Sequence, residues 1–219
     1  MPESALCRLD ELGVLAQIHP GLRCDDWLRE MFRRWRESPI WSGGQVVLGQ
    51  MAPPTIRPSD HLTIQPSDQI SILYLALLTY RLSTSDLEGL IERLKVSSED
   101  ATLLRQVNRL RSLASELAEE RRPSTIYRLL KHYSEPASFV LWIATDSESV
   151  RERLELYHRK LRLVEPEIDG EDLKAMGLKP GPLFGRILST LRDARLDGEV
   201  TSLEEEKALV EKLLASFDI

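Results

Sequence analysis

Apolar residues recur along this chain at the three- and four-residue spacing of an α-helix, and no convincing run follows the two-residue spacing of a strand. Leu6, Leu9, Leu12 and Leu15 predict one face of a first helix, stopping near His19-Pro20-Gly21. A second helix is predicted from about Asp25 to Glu37, with Trp27, Met31 and Trp35 toward a core and Arg29, Arg33 and Arg36 on the other side. Residues 38–66 break the pattern. Gly43-Gly44, Pro53-Pro54, Pro58 and Pro66 forbid a long helix there, and only Val46-Val47-Leu48 reads as a short strand.

Helical spacing resumes in the nearly continuous apolar run Ile70–Tyr80, then in Ser83–Leu94 behind a Ser83/Asp86 cap. In Ser97–Glu120, Leu103, Val107, Leu110, Ala114 and Leu117 form a stripe. Pro123 suits the first position of a helix reaching Tyr133, because the N–H it lacks has no helical partner there. Helices over 136–145 and 147–163 follow. In the second, Val150, Leu154, Tyr157 and Leu161 are expected inward, and Arg151, His158, Arg159 and Arg162 toward solvent. Three short helices close the chain, at 170–176, 182–196 and 202–217. Gly177 is placed as a left-handed stop, and Thr201 with Glu204 as a capping box. The expected fold is all-α: an elongated multi-helix stack, or body, with a small C-terminal helical tail. Its expected divisions are 1–66 (junction helices and Pro/Gly-rich loop), 67–164 (body) and 165–219 (tail).

At 219 residues and 42% hydrophobic, the chain is long enough to bury a sizeable core. No apolar run approaches the roughly 18 residues of a membrane span, and the opening residues do not read as a secretory signal. Cys7 and Cys24 are too few for a disulfide framework, and no metal spacing joins them to His19, His61, His132 or His158. A reducing cytoplasm is the expected setting. The net charge of −6 argues against a protein that coats nucleic acid with its whole surface. Residues 121–162 differ from the rest, with nine Lys and Arg against five Asp and Glu. Such a balance suits phosphates docking at one place, and it equally describes ordinary solvated helix faces.

The candidate chemistry is therefore binding. Arg128, Lys131, Arg159, Lys160 and Arg162 are the side chains best suited to an RNA backbone. Lys179-Pro180-Gly181-Pro182 opens a helix whose bare N–H groups favour an anion, with Lys179 and Arg186 beside it. No catalytic or metal-binding residue is expected. Asp60-His61 lacks companion ligands, Cys24-Asp25-Asp26 lacks a base, and Gly43-Gly44 is not followed by a phosphate-loop lysine. Glu204-Glu205-Glu206 reads as a solvated helix start that suits the dipole.

The run Gly170–Leu188 followed by Leu196-Asp197-Gly198 resembles the C-terminal signature of bacterial tRNA nucleotidyltransferases, the family of CCA-adding and A-adding enzymes and poly(A) polymerases. Leu9–Leu15 and Ile18–Leu22 resemble the segment just after the neck of these enzymes, and Arg122–Leu130 and Tyr157–Val164 their body. In the family a separate head does the chemistry: paired acidic residues hold two metal ions, a Gly-Ser element contacts the triphosphate, and a motif in the neck selects the base. This chain shows none of these motifs. Asp25-Asp26-Trp27-Leu28-Arg29 only superficially echoes the family's Glu-Asp-x-x-Arg.

The resemblance implies a tRNA-binding body and tail that grips the acceptor stem and elbow and positions the 3′ end for a head of the same polypeptide. That head has either been excised or been lost from the gene. Mg²⁺ and ATP or CTP are implied only for the head, and no cofactor for this chain. The competing expectation is a helical protein–protein interaction or dimerisation module without RNA contact.

Overall fold

The computed structural model describes residues 2–38, 41–42, 45–46 and 66–216. Twelve α-helices carry the fold among them: α1 (Pro2–Glu11), α2 (Val14–Ile18), α3 (Asp26–Glu37), α4 (Pro66–Thr79), α5 (Thr84–Leu94), α6 (Ser98–Ala118), α7 (Pro123–Leu130), α8 (Glu135–Ala144), α9 (Glu148–Arg159), α10 (Gly170–Ala175), α11 (Pro182–Leu196) and α12 (Leu203–Ser216). A 3-10 turn, Leu161–Leu163, follows α9. The expected all-α class holds. The only strands among the described residues are the antiparallel pair β1 (Trp41–Ser42) and β2 (Gln45–Val46), in which Trp41 is the partner of Val46. Gly43-Gly44, Val47-Leu48, Asp60-His61 and the other residues of 39–40 and 47–65 lie outside the described residues.

The chain forms two compact units, Met1–Glu119 with Tyr133–Leu154, and Glu120–His132 with Glu155–Ile219. The first is organised by α8, which packs against α3, α4 and α6. Seven of its ten residues are buried, from Ala137 to Ala144 with the exception of Trp142. Leu28, Met31, Phe32 and Trp35 of α3 and Leu73, Ala76 and Leu77 of α4 complete this core. Each large apolar side chain among them contributes roughly 1.5–3 kcal/mol on leaving water. Tyr74 is wedged between Phe32 and Trp35, with ring centroids at 4.9 and 4.6 Å. The Ser83 cap is as expected, its hydroxyl accepting the N–H of Asp86, and Ser97, not singled out in the sequence, caps α6 in the same way on the N–H of Asp100.

The N-terminal segment departs from expectation. Leu6 to Leu15 do not share one helix, because Gly13 adopts φ +71° and separates α1 from α2. Leu15 is buried, whereas Leu9 and Leu12 are exposed, Leu12 by 59%. Cys7 and Cys24 are bonded to each other as a disulfide. Trp27 is only partly buried, stacked on Tyr80 at 5.6 Å beneath the Arg81 guanidinium.

In the second unit, α11 packs on α7, α10 and α12, around Ile168, Leu173, Ile187, Leu191 and Val210. Polar pins fix the rest. The Asp197 carboxylate, just past α11, accepts the Ser124 N–H at 2.9 Å and its hydroxyl at 2.8 Å, holding the start of α7. Glu206, expected to be solvated, is completely buried. It accepts the N–H of Glu167 and Ile168 at 3.1 and 2.8 Å and pairs with Arg195 Nε at 3.1 Å. The capping box of α12 falls one residue later than predicted: Ser202 and Glu205 satisfy each other's N–H groups.

Candidate nucleic-acid interface

The second unit carries a cleft of about 370 Å³ lined by α7, the segment leading into α10, and one face of α11. Proline at the first position fixes α7, and its last turn presents Arg128 and then Lys131, both exposed. Across the cleft, Gly185, Ser189 and Arg192 lie at the three- and four-residue spacing that shares one face of α11. The Arg192 guanidinium donates to the Tyr127 hydroxyl at 2.8 Å and lies 5.5 Å from the centre of that ring.

Three acids line the same cleft: Glu165, Asp169 and Asp193. Asp169 is occupied as the cap of α10, accepting the N–H of Glu171 and Asp172 at 2.7 and 3.0 Å. The Asp172 and Glu171 amides hold its carboxyl below the usual range. Asp193 reaches Arg128 at 3.6 Å. Burial raises its carboxyl, Asp197 adds to the rise, and Arg128, Lys131 and Arg192 oppose it.

Of the eight residues picked out in the sequence, Arg128 and Lys131 enter this cleft; Arg159, Lys160, Arg162, Lys179, Gly181 and Arg186 are not among its lining. Arg159 is exposed and pairs with Glu155 at 3.3 Å. Lys160 is exposed ahead of the 3-10 turn, and Arg162 is half-buried. Lys179, Gly181 and Arg186 are exposed around the start of α11. Gly181 has an extended backbone, φ 174°, which any residue adopts, and an added Cβ would meet only an ordinary contact at 3.9 Å. Neither conformation nor space inside this unit demands a glycine there. Gly177 differs, ending α10 at φ +89° as expected.

His158, expected in solvent, is 7% exposed, and neither ring nitrogen has a hydrogen-bond partner. Burial, with the Arg162 charge beside it, pushes its pKa down to about 4. Arg192 and Tyr127 are functional candidates that the sequence reading misses. The helical spacing of Gly185, Ser189 and Arg192 is the signal that could have found the arginine. Among the described residues no group of three or more His, Cys, Asp or Glu is placed to hold a metal ion. No helix among them is long and apolar enough to cross a membrane.

No protein-family model matches the chain. Its sequence is 26% identical over 222 residues to the A-adding tRNA nucleotidyltransferase of Geobacter sulfurreducens, covering 98% of this chain and 23% of that protein. The Thermotoga maritima CCA-adding enzyme, solved in complex with tRNA, matches 97% of this chain with a TM-score of 0.62 at 17% identity. The chain resembles part of a tRNA nucleotidyltransferase. An apo CCA-adding enzyme shows the same fold with a TM-score of 0.65 at 19% identity over 98% of this chain. The likeness read from Gly170–Gly198 and its companion runs thus extends over nearly the whole chain. The chain spans less than a quarter of the curated nucleotidyltransferase, and 48% and 46% of the two solved enzymes.

Proposed function

We propose that this chain is the tRNA-holding body and tail of a CCA- or A-adding nucleotidyltransferase. It grips the acceptor stem and elbow so that the 3′ end reaches an active site in a head of the same polypeptide. Its contribution is positional: binding energy is converted into orientation. Folded RNA is read largely by shape and backbone, and a cleft that gathers Arg128, Lys131 and Arg192 beside the start of α10 suits that mode. Mg²⁺ and the nucleotide belong to the head, and the cytoplasm is the setting, where a reducing medium would open the Cys7–Cys24 bond.

The observation that carries this reading is the convergence of Arg128, Lys131 and Arg192 on one cleft, on a fold shared with an enzyme solved on tRNA. The test is tRNA binding over a salt series. The logarithm of the affinity should fall linearly with log salt, and Arg128→Gln with Lys131→Gln should weaken binding and reduce the slope by about one for each phosphate no longer neutralised. Absence of binding at low ionic strength would overturn the proposal.

A second reading, a protein-docking module, draws on the exposure of Leu9, Leu12 and Val14 at the N-terminal end. Leu9→Ser with Leu12→Ser separates the two. Loss of self-association with tRNA binding intact would assign that patch to protein contacts.

A further inference from the structure

Two arginines on α11 are treated differently. Arg195 is fully engaged, pairing with Glu206 and Glu167 and donating to the Glu165 carbonyl at 3.1 Å. Arg192, three residues earlier, has no carboxylate partner among the described residues. Its Nε is shielded from water and meets no acceptor, and its only hydrogen bond among the described residues is to a neutral phenol. A shielded donor without an acceptor forfeits the bond it made with water, and natural structures rarely leave one without a reason. Lys131, facing the same cleft, also lacks an ion pair among the described residues, and Arg128 has only the long 3.6 Å approach to Asp193. With Asp169 taken up by backbone amides and Asp193 by Arg128, Glu165 is the one remaining acid among the lining residues for the two cations Arg192 and Lys131.

We propose that this cleft takes one phosphodiester group of a bound RNA, that Arg192 is its principal ligand, and that Tyr127 is the positioning residue for Arg192. The inference rests on the tRNA-holding reading and assigns roles within it. Tyr127 accepts from one terminal nitrogen of Arg192, which fixes the planar guanidinium in the cleft wall and leaves its other terminal nitrogen without a partner among the described residues. Two parallel N–H donors on one edge match two phosphate oxygens, which a lysine cannot reproduce. Because the phenol oxygen accepts from Arg192, its own hydrogen remains for the same ligand. Lys131 and Arg128 face the site as longer-range cations. Ser189 supplies a hydroxyl and Gly185 leaves the wall bare, since a Cβ there would meet nothing within 4 Å.

The test measures tRNA affinity of the whole chain by fluorescence anisotropy across a potassium chloride series, with circular dichroism and thermal unfolding as fold controls. Arg192→Gln should lower affinity about tenfold or more and reduce the log–log slope by close to one. Arg192→Lys keeps the charge and loses the fork, so the slope should stay while affinity drops severalfold. Tyr127→Phe should behave likewise, because it removes no charge; a merely structural tyrosine would instead lower the unfolding temperature and leave the affinity of the folded fraction unchanged. If wild type binds tRNA and Arg192→Gln binds with the same affinity and slope, the assignment of Arg192 is overturned while the tRNA reading stands. If wild type does not bind tRNA, both fall. A chloride series matched in ionic strength but containing inorganic phosphate distinguishes the ligand sources: equal displacement supports a phosphodiester, and much stronger displacement by phosphate would overturn it in favour of a free phosphate site.

Discussion

In the first unit, α8 buries seven of its ten residues against three other helices and leaves almost no polar side chain to organise. In the second, short helices are pinned by carboxylates: Asp197 holds the start of α7, Asp169 that of α10, and Glu206 the chain entering α10. The contrast follows from chemistry and not from helix length, since α8 has ten residues and α4 fourteen, within the six to fifteen of the second unit's helices. An apolar face is enough to specify packing around α8. Helix starts in the second unit leave unsatisfied termini whose acceptors come from elsewhere in the chain. One consequence is that arginines and amides in the second unit are held at defined places, which a ligand site requires and a purely apolar core does not provide.

The largest expected effect would test the first half of that contrast. Phe139→Ala should cost about 3–5 kcal/mol in urea unfolding, because the cavity lies at the centre of a tightly packed helix junction. Next, Glu206→Ala should cost about 3 kcal/mol, since it strands the Arg195 Nε and two backbone N–H groups at once. A silent Glu206→Ala would break the distinction between the units.

Acid should come third and act through His158. Its folded pKa of about 4 lies below the ordinary 6.5, so as pH falls through 6.5 the unfolded chain takes up a proton that the folded one refuses. Stability is lost from about 6.5 down to about 4, with a slope of at most about 1.4 kcal/mol per pH unit from this group. His158→Phe should flatten that part of the curve. The smallest effect has the opposite sign: Gly185→Ala, in mid-helix with open space around it, should stabilise the protein by roughly 0.5–1 kcal/mol. If it also weakens tRNA binding, the bare wall of the cleft serves the ligand and not the fold.

Features set by neighbours in the chain are legible in the sequence. Pro123, Ser83 and Gly177 each act on backbone groups within a few residues, and each sits where local chemistry places it. Glu206 defeats a sequence reading because its acceptor role depends on an amide 38 residues away. Nothing in an acidic helix start announces such a partner. His158 does so because its helix buries a wider face than the Val150, Leu154, Tyr157 stripe suggests. At the candidate site, charge balance finds Arg128 and Lys131 at the end of α7 but not Arg192, which comes from a helix in an acidic part of the sequence and joins them only through tertiary packing.

The disulfide has a consequence for the first ten residues. No described side chain of α1 is fully buried. What secures the helix is Cys7–Cys24, the Cys24 N–H on Asp10, and Glu3 against Arg36 and Tyr74. So short a helix is marginal on its own in water. In a thiol-rich medium α1 would lose its covalent tie and keep only its packing on α2, the Asp10 hydrogen bond and the Glu3 contacts, so the ambient redox state would govern how firmly this helix stays folded down.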